Sequence, residues 1–302
     1  MKNAVLFLMG LLPLGLMGQS NTRINNYWAN PYYINPAYIS DNAPATFSTV
    51  VRKQWFGVTG APSTIYGTAT LWLDQLNTQF GMKFFSDKIG LTQNTQLALS
   101  YTYALKLNQR WKFDAGIAAS YQNLSYDQSM VELDRPEIAG FYNNLLNENY
   151  YNCDLGFQFT SKEIVVGASS QNFMSLFYAE NLHQINSNFL YSYYQRKNDE
   201  MIELRYGMSA IQYRGVVQME FSLLSCFKYY QVPELLQVGL FYRTRSEMGV
   251  LMGYNLSPQF HLWYSFDFNV GGLSRSSIGT HELMLTYKLK KLCKNCREWR
   301  GM

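Results

Sequence analysis

The sequence predicts an all-β protein, a transmembrane antiparallel β-barrel of about 14 strands in the outer membrane of a Gram-negative bacterium. Three observations predict it. Long stretches alternate apolar and polar residues with a period of two. The chain is 16% aromatic but only 15% charged, with 24 Tyr, and short connections alternate with longer ones along it. A tilted membrane strand needs about 9 to 11 residues, apolar toward lipid and polar or small toward a wet lumen. A mean hydropathy of -0.20 is too polar for a bundle of membrane helices.

Residues 1–18 read as a signal peptide: Lys2 is the positive end, Ala4 to Leu16 the apolar run, and Gly15 and Gly18 the small residues before a cut near Gln19. The run is too short to anchor comfortably as a helix, and nothing after it is long and apolar enough to cross a bilayer that way. Residues 19–45 are rich in Asn, Tyr and Pro, and Pro31, Pro36 and Pro44 block a long ladder. This segment is expected to stay out of the wall, as a periplasmic stretch or a plug in the lumen.

The wall is expected over residues 46–290. Its strands are read at 46–57, 63–74, 77–86, 94–107, 111–124, 150–161, 163–171, 186–196, 201–212, 214–230, 234–244, 247–255, 260–269 and 279–290. The pair from Asn94 to Leu124 is the clearest. Leu97, Leu99, Tyr101, Tyr103 and Leu105 alternate with Ala98, Ser100, Thr102 and Ala104; after a turn, Phe113, Ala115, Ile117 and Tyr121 alternate with Asp114, Gly116, Ser120 and Gln122. A charge at Leu99 or Phe113 should therefore be costly, and one at Ser100, on the lumen side, mild. An even strand count leaves both termini periplasmic, so the connections after odd-numbered strands are external; these include the two longest gaps. A barrel this wide is not filled by wall side chains alone, so water or a plug must occupy it. Residues 291–302 form a basic tail expected in the periplasm. Its Cys293 and Cys296 are a candidate local disulfide, because a metal site would need a second pair of ligands. Cys153 and Cys226 stand singly in strands and read as small apolar residues.

Other chemistry is weakly supported. The formal charge of +4, or +3 once Lys2 leaves, is too small and scattered for nucleic acid. The three His (His183, His261, His281) have no nucleophile motif beside them. No glycine loop is arranged to cradle phosphate. Glu132, Asp134 and Glu137 read as a solvated loop rather than a cation site. No catalytic residue, metal, cofactor or small-molecule substrate is expected.

Specific words stand out beside the period. Ile34-Asn35-Pro36-Ala37-Tyr38 is followed by Arg52-Lys53-Gln54-Trp55-Phe56-Gly57 and Gly60-Ala61-Pro62-Ser63-Thr64. Later come Ser86-Asp87-Lys88-Ile89-Gly90 and the terminal Gly279-Thr280-His281-Glu282-Leu283-Met284-Leu285-Thr286-Tyr287. In this order they resemble the PorP/SprF family of type IX secretion membrane proteins. Asn35 and Pro36 read as a rigid entry to the first strand; Gly57, Gly60 and Pro62 read as an external turn. His281 and Glu282, adjacent on a strand, point to opposite faces and cannot act as a pair. The resemblance implies a non-enzymatic outer-membrane barrel that works with other type IX components in the export or surface attachment of secreted proteins, such as adhesins of gliding motility. The barrel alone would equally allow a passive porin or small-solute transporter.

Overall fold

A computed structural model of the chain describes residues 23–40, 43–126, 148–177, 185–196, 201–229, 232–244, 247–269 and 277–290. The leader, the acidic loop residues and Cys293 and Cys296 lie outside these residues. The strands are β1 (Ala45–Lys53), β2 (Ser63–Leu73), β3 (Thr78–Ile89), β4 (Thr92–Lys106), β5 (Lys112–Tyr126), β6 (Glu148–Thr160) and β7 (Ile164–Gln171). The second half is β8 (Ser187–Gln195), β9 (Ile202–Tyr213), β10 (Val216–Tyr229), β11 (Val232–Arg243), β12 (Glu247–Asn255), β13 (Phe260–Asn269) and β14 (Thr280–Lys288). Each strand pairs antiparallel with its sequence neighbours, and β1 pairs with β14 to close a 14-stranded barrel.

The period of two sorts the side chains. On β4, Leu97, Leu99, Tyr101, Tyr103 and Leu105 are exposed while Ala98, Ser100, Thr102 and Ala104 are buried. On β10, Val217, Met219, Phe221 and Leu223 face out and Glu220 is buried inside. Phe113 on β5 lies on the outside against Phe157 and Phe159 of β6. Leucines left open on a folded surface while glutamates are buried invert the arrangement of a water-soluble protein, and a hydrocarbon surround is the environment in which this costs least.

Three sequence expectations are corrected. The first strand ends at Lys53, not residue 57, because Trp55 (φ 49°) and Gly57 (φ 96°) adopt left-handed backbone that no ladder accommodates. The third continues to Ile89 and so takes Asp87 into the wall. Ser100 is no tolerant lumen position: it is 6% exposed and its hydroxyl lies 2.6 Å from that of Tyr32.

Connections after even-numbered strands are short, as at 107–111 and 161–163. Those after odd-numbered strands include the longest, 127–147 and 172–186, but also the two-residue turns at 90–91 and 214–215.

Candidate functional site

Residues 23–40 lie in the interior of the barrel. Residues 23–40 carry a short 3-10 turn, Pro31–Tyr33, with Pro31 at its start, where a missing N–H costs nothing. Around it the backbone makes no long ladder, as the prolines dictate, so its polar groups find partners on the wall instead. Asn30 donates to Thr68 of β2 at 3.1 Å, and the Tyr33 hydroxyl donates to Ser48 of β1 at 3.0 Å. Ser169 of β7 donates to the Ile34 carbonyl at 2.7 Å. Gln79 of β3 donates to the Tyr38 carbonyl at 2.8 Å. Trp28 packs edge-on against Trp263 of β13, ring centroids 4.7 Å apart, and the Arg205 guanidinium of β9 lies 5.5 Å from the Trp28 ring centroid.

Asn35, Pro36, Ala37 and Tyr38 form the tightest part. Asn35 Oδ1 accepts from the Ala37 N–H at 2.9 Å, closing a local turn. Its Nδ2 donates to the Phe157 carbonyl at 3.0 Å and to the Tyr191 hydroxyl at 3.1 Å. Thr102 donates to the Pro36 carbonyl at 2.6 Å, and Ala37 is fully buried. The wall makes room with glycine. A methyl on Gly116 would lie 2.6 Å from Ala37 N and from the Pro36 carbonyl, and one on Gly156 would collide with Asn35 Oδ1. These two glycines, on adjacent strands, are a recess in the wall rather than bends in it. The word read as a strand entry is thus seated inside the barrel, well before β1.

A chain of charges ties the segment to the seam. Arg52 of β1 and Glu282 of β14 face each other across the closing strand pair, and Arg52 Nη1 lies 3.2 Å from Glu282 Oε2. Both carboxylate oxygens also accept backbone N–H groups of the segment, from Asn25 at 2.8 Å and Asn26 at 2.9 Å. Asn25 Oδ1 in turn accepts from Arg52 at 3.0 Å and from Arg243 of β11 at 2.7 Å. Asp267 lies 3.6 Å from Arg52 and 3.7 Å from Arg243. Arg23 reaches Glu220 at 3.7 Å and donates to Ser209 and Gln218, both at 3.0 Å. Each of these charges has an opposite partner, as a dry location requires.

The remaining words meet at the odd-connection end. Gln54 N–H donates to the Pro62 carbonyl at 3.0 Å, Phe56 N–H to Gly279 at 2.8 Å, and Gly90 N–H to Gly60 at 3.0 Å. The connections after β1, β3 and β13 are thereby stitched together. Gly60 (φ 73°) and Gly90 (φ 56°) sit in left-handed backbone. Asp87 accepts from Thr64 at 2.6 Å inside the wall. His281 faces outward, its Nδ1 2.8 Å from the Tyr264 hydroxyl, while Glu282 faces in. Below this end lies a cavity of about 540 Å³. Gln54, Trp55, Gln96, Gln122, Gln171 and Asn172 line its sides, and Arg23, Ile24, Tyr27 and Ile34 line it from the luminal segment.

Sequence reasoning set Glu220 and Asp267 on the polar, lumen-facing side but missed Trp263, which breaks the polar face of β13, and the luminal Arg243 of β11. A buried Trp263 opposite Gly253, whose missing side chain gives the indole room, was a readable signal: the one large aromatic on an otherwise polar face. Cys153 and Cys226 are free thiols. Among the described residues, no group of three His, Cys, Asp or Glu side chains could hold a metal ion.

A closed ring of 14 antiparallel strands, greasy outside and polar inside, defines an outer-membrane β-barrel. Solved structures agree on the fold. The monoaromatic hydrocarbon channel CymD is 9% identical, with a TM-score of 0.53 over 87% of this chain and 93% of that one. The Ralstonia pickettii toluene transporter TbuX is 9% identical, with a TM-score of 0.50 over 86% and 93%. Identity this low speaks for the fold alone. Curated proteins give no match. The family described as type IX secretion system membrane protein PorP/SprF matches residues 16–287, and the chain belongs to it. Fold and family are those of a secretion-system barrel of the Gram-negative outer membrane, not of an enzyme.

Proposed function

We propose that this barrel is a closed, non-conducting partner in type IX export, acting in the delivery or surface attachment of secreted proteins, adhesins of gliding motility among them. The observation that carries the reading is the luminal segment, which bonds to strands on every side of the barrel and is held by buried ion pairs at the seam. A solute channel needs a continuous wet path, and residues 23–40 stand across it as a plug. Residues 1–18 act as a leader, the odd-numbered connections face outside, and the tail from 291, with its Cys293–Cys296 loop, lies in the periplasm and meets other type IX components there. The family words serve this architecture: Asn35 to Tyr38 anchor the plug, and Gln54 to Pro62, Asp87, Gly90 and His281 brace the external end.

The test is deletion of the gene with two readouts. Loss of one or more surface or secreted proteins, with small-solute uptake unchanged, supports the reading. Normal surface proteins with reduced uptake of a nutrient favour a passive porin, the reading for which the cavity at the odd-connection end speaks.

A further inference from the structure

Charge is sorted across the wall as strictly as polarity, with three exceptions. Along the described strands the Asp, Glu, Lys, Arg and His side chains fall on the luminal face of the alternation. Glu234, in left-handed backbone beside the irregularity between β10 and β11, also turns inward to Arg205. Lys53, Lys88 and His281 instead alternate to the outward face, in step with the exposed Val51, Phe84 and Leu283.

The three share one place. Lys53 of β1 faces His281 of β14 on one side and Ser63 of β2 on the other, and Ser63 faces Lys88 of β3. They make a single cross-strand row at the odd-connection end, with Lys53 and Lys88 two strand spacings, about 10 Å, apart at the backbone. The Lys53 ammonium donates to the Ala61 carbonyl at 3.1 Å, which draws it toward the start of β2 and uses one of its three hydrogens. Lys88, on an equally long and flexible stem, stands on the other side of Ser63. Toward the middle of the wall the same strands turn out Val51, Ile65, Phe84 and Leu283, all exposed. A cation on this face costs most opposite hydrocarbon and least at headgroup level, where it meets an anion.

We propose that Lys53, Ser63 and Lys88 form a lipid site that takes the phosphomonoester of a lipopolysaccharide headgroup, with the acyl chains laid on the apolar rows below it. The charge matches: a phosphomonoester carries about -1.5 to -2, enough to engage two lysines, whereas the phosphodiester of a glycerophospholipid carries one. The site rests on the odd-connection end lying outside, as proposed above, because that is the leaflet where lipopolysaccharide is found. It gives the seam between β1 and β14 a bound lipid at its outer rim.

The test uses the full chain, purified from membranes in detergent and checked for a heat-resistant folded band. Native mass spectrometry follows its titration with monophosphoryl lipid A and, separately, with phosphatidylglycerol. The expected result is tighter binding of the lipid A, weakened about thirtyfold in the double variant Lys53→Gln, Lys88→Gln, from roughly fivefold per lysine beside an anionic lipid. Lys106→Gln with Arg110→Gln, which removes the same charge at the other end of the wall, should bind like the parent. If the double variant gives no folded band, Lys88→Gln alone should show the fivefold loss. Equal affinity for the two lipids, parent-like binding by the lysine variants, or an equal loss in the control would overturn the proposal and leave the row a general interfacial anchor. Titration in detergent is indifferent to sidedness, so thiol labelling of intact cells separates the two readings. A barrel whose odd-connection end proves periplasmic loses both, and a correctly sided barrel without the lipid preference loses the site alone.

Discussion

Gly116 and Ser100 show how little of the lumen side is free to change. Gly116 leaves room for the Pro36–Ala37 peptide, and a Val there would have to push it away. Gly116→Val should cost about 1–3 kcal/mol, the usual penalty of overpacking, seen as a lower temperature at which the folded gel band disappears. Gly67→Ala is the control, since its new methyl would meet only Phe84 Cβ at 4.0 Å and should change nothing measurable. Leu99→Arg sets a charge on an outward side chain that is 61% exposed and should cost about 2–4 kcal/mol near mid-bilayer. Ser100→Arg should be at least as damaging, because it displaces the Tyr32 hydroxyl. If it inserts and resists heat like the parent, the tight fit of the segment is wrong. Alternation alone could tell which way Ser100 points. It could not tell that another part of the same chain waits there, because that contact spans 68 residues and leaves no trace in a period of two.

At the scale of elements, the strands were legible, and the segment's place only as two alternatives, periplasmic stretch or plug. A pattern that repeats every second residue is a local property, so all 14 strands could be read, with errors at the ends of β1 and β3 where turns and strands share residue types. For residues 19–45 the prolines excluded a strand and the barrel's width allowed a plug, but no local pattern could name the wall residues that hold it. Deleting residues 23–40 should leave an inserted barrel that conducts ions in planar bilayers, whereas the full chain should stay closed; equal currents from both would remove the plug. Glu282→Gln keeps the shape but removes the charge that faces Arg52 and receives two N–H groups of the segment. Because Asp267 still faces Arg52, the cost should fall below the about 3–5 kcal/mol typical of a fully unpaired buried ion. Hydrogen exchange should report the loss first at the amides of Asn25 and Asn26, with the strands still protected.

For the whole molecule, sidedness is the quantity that most needs measurement. On intact cells a membrane-impermeant thiol reagent should label Arg214→Cys and spare Gln109→Cys, each in a background without the native cysteines; the opposite pattern would turn the barrel over. The cross-strand pair of Arg52 and Glu282 then bears on assembly. Joining β1 to β14 brings together residues 230 positions apart in sequence, a contact costly in chain entropy and therefore a late one. A ring that shuts without Asn25 and Asn26 shuts on a carboxylate robbed of three of its donors, so the final step of folding should be slower for a chain that has not taken residues 23–40 inside. The seam is thus expected to act as a checkpoint. Pulse-labelled chains lacking residues 23–40 should linger in a form still sensitive to periplasmic protease, and if they mature as fast as the parent, closure is indifferent to what it encloses.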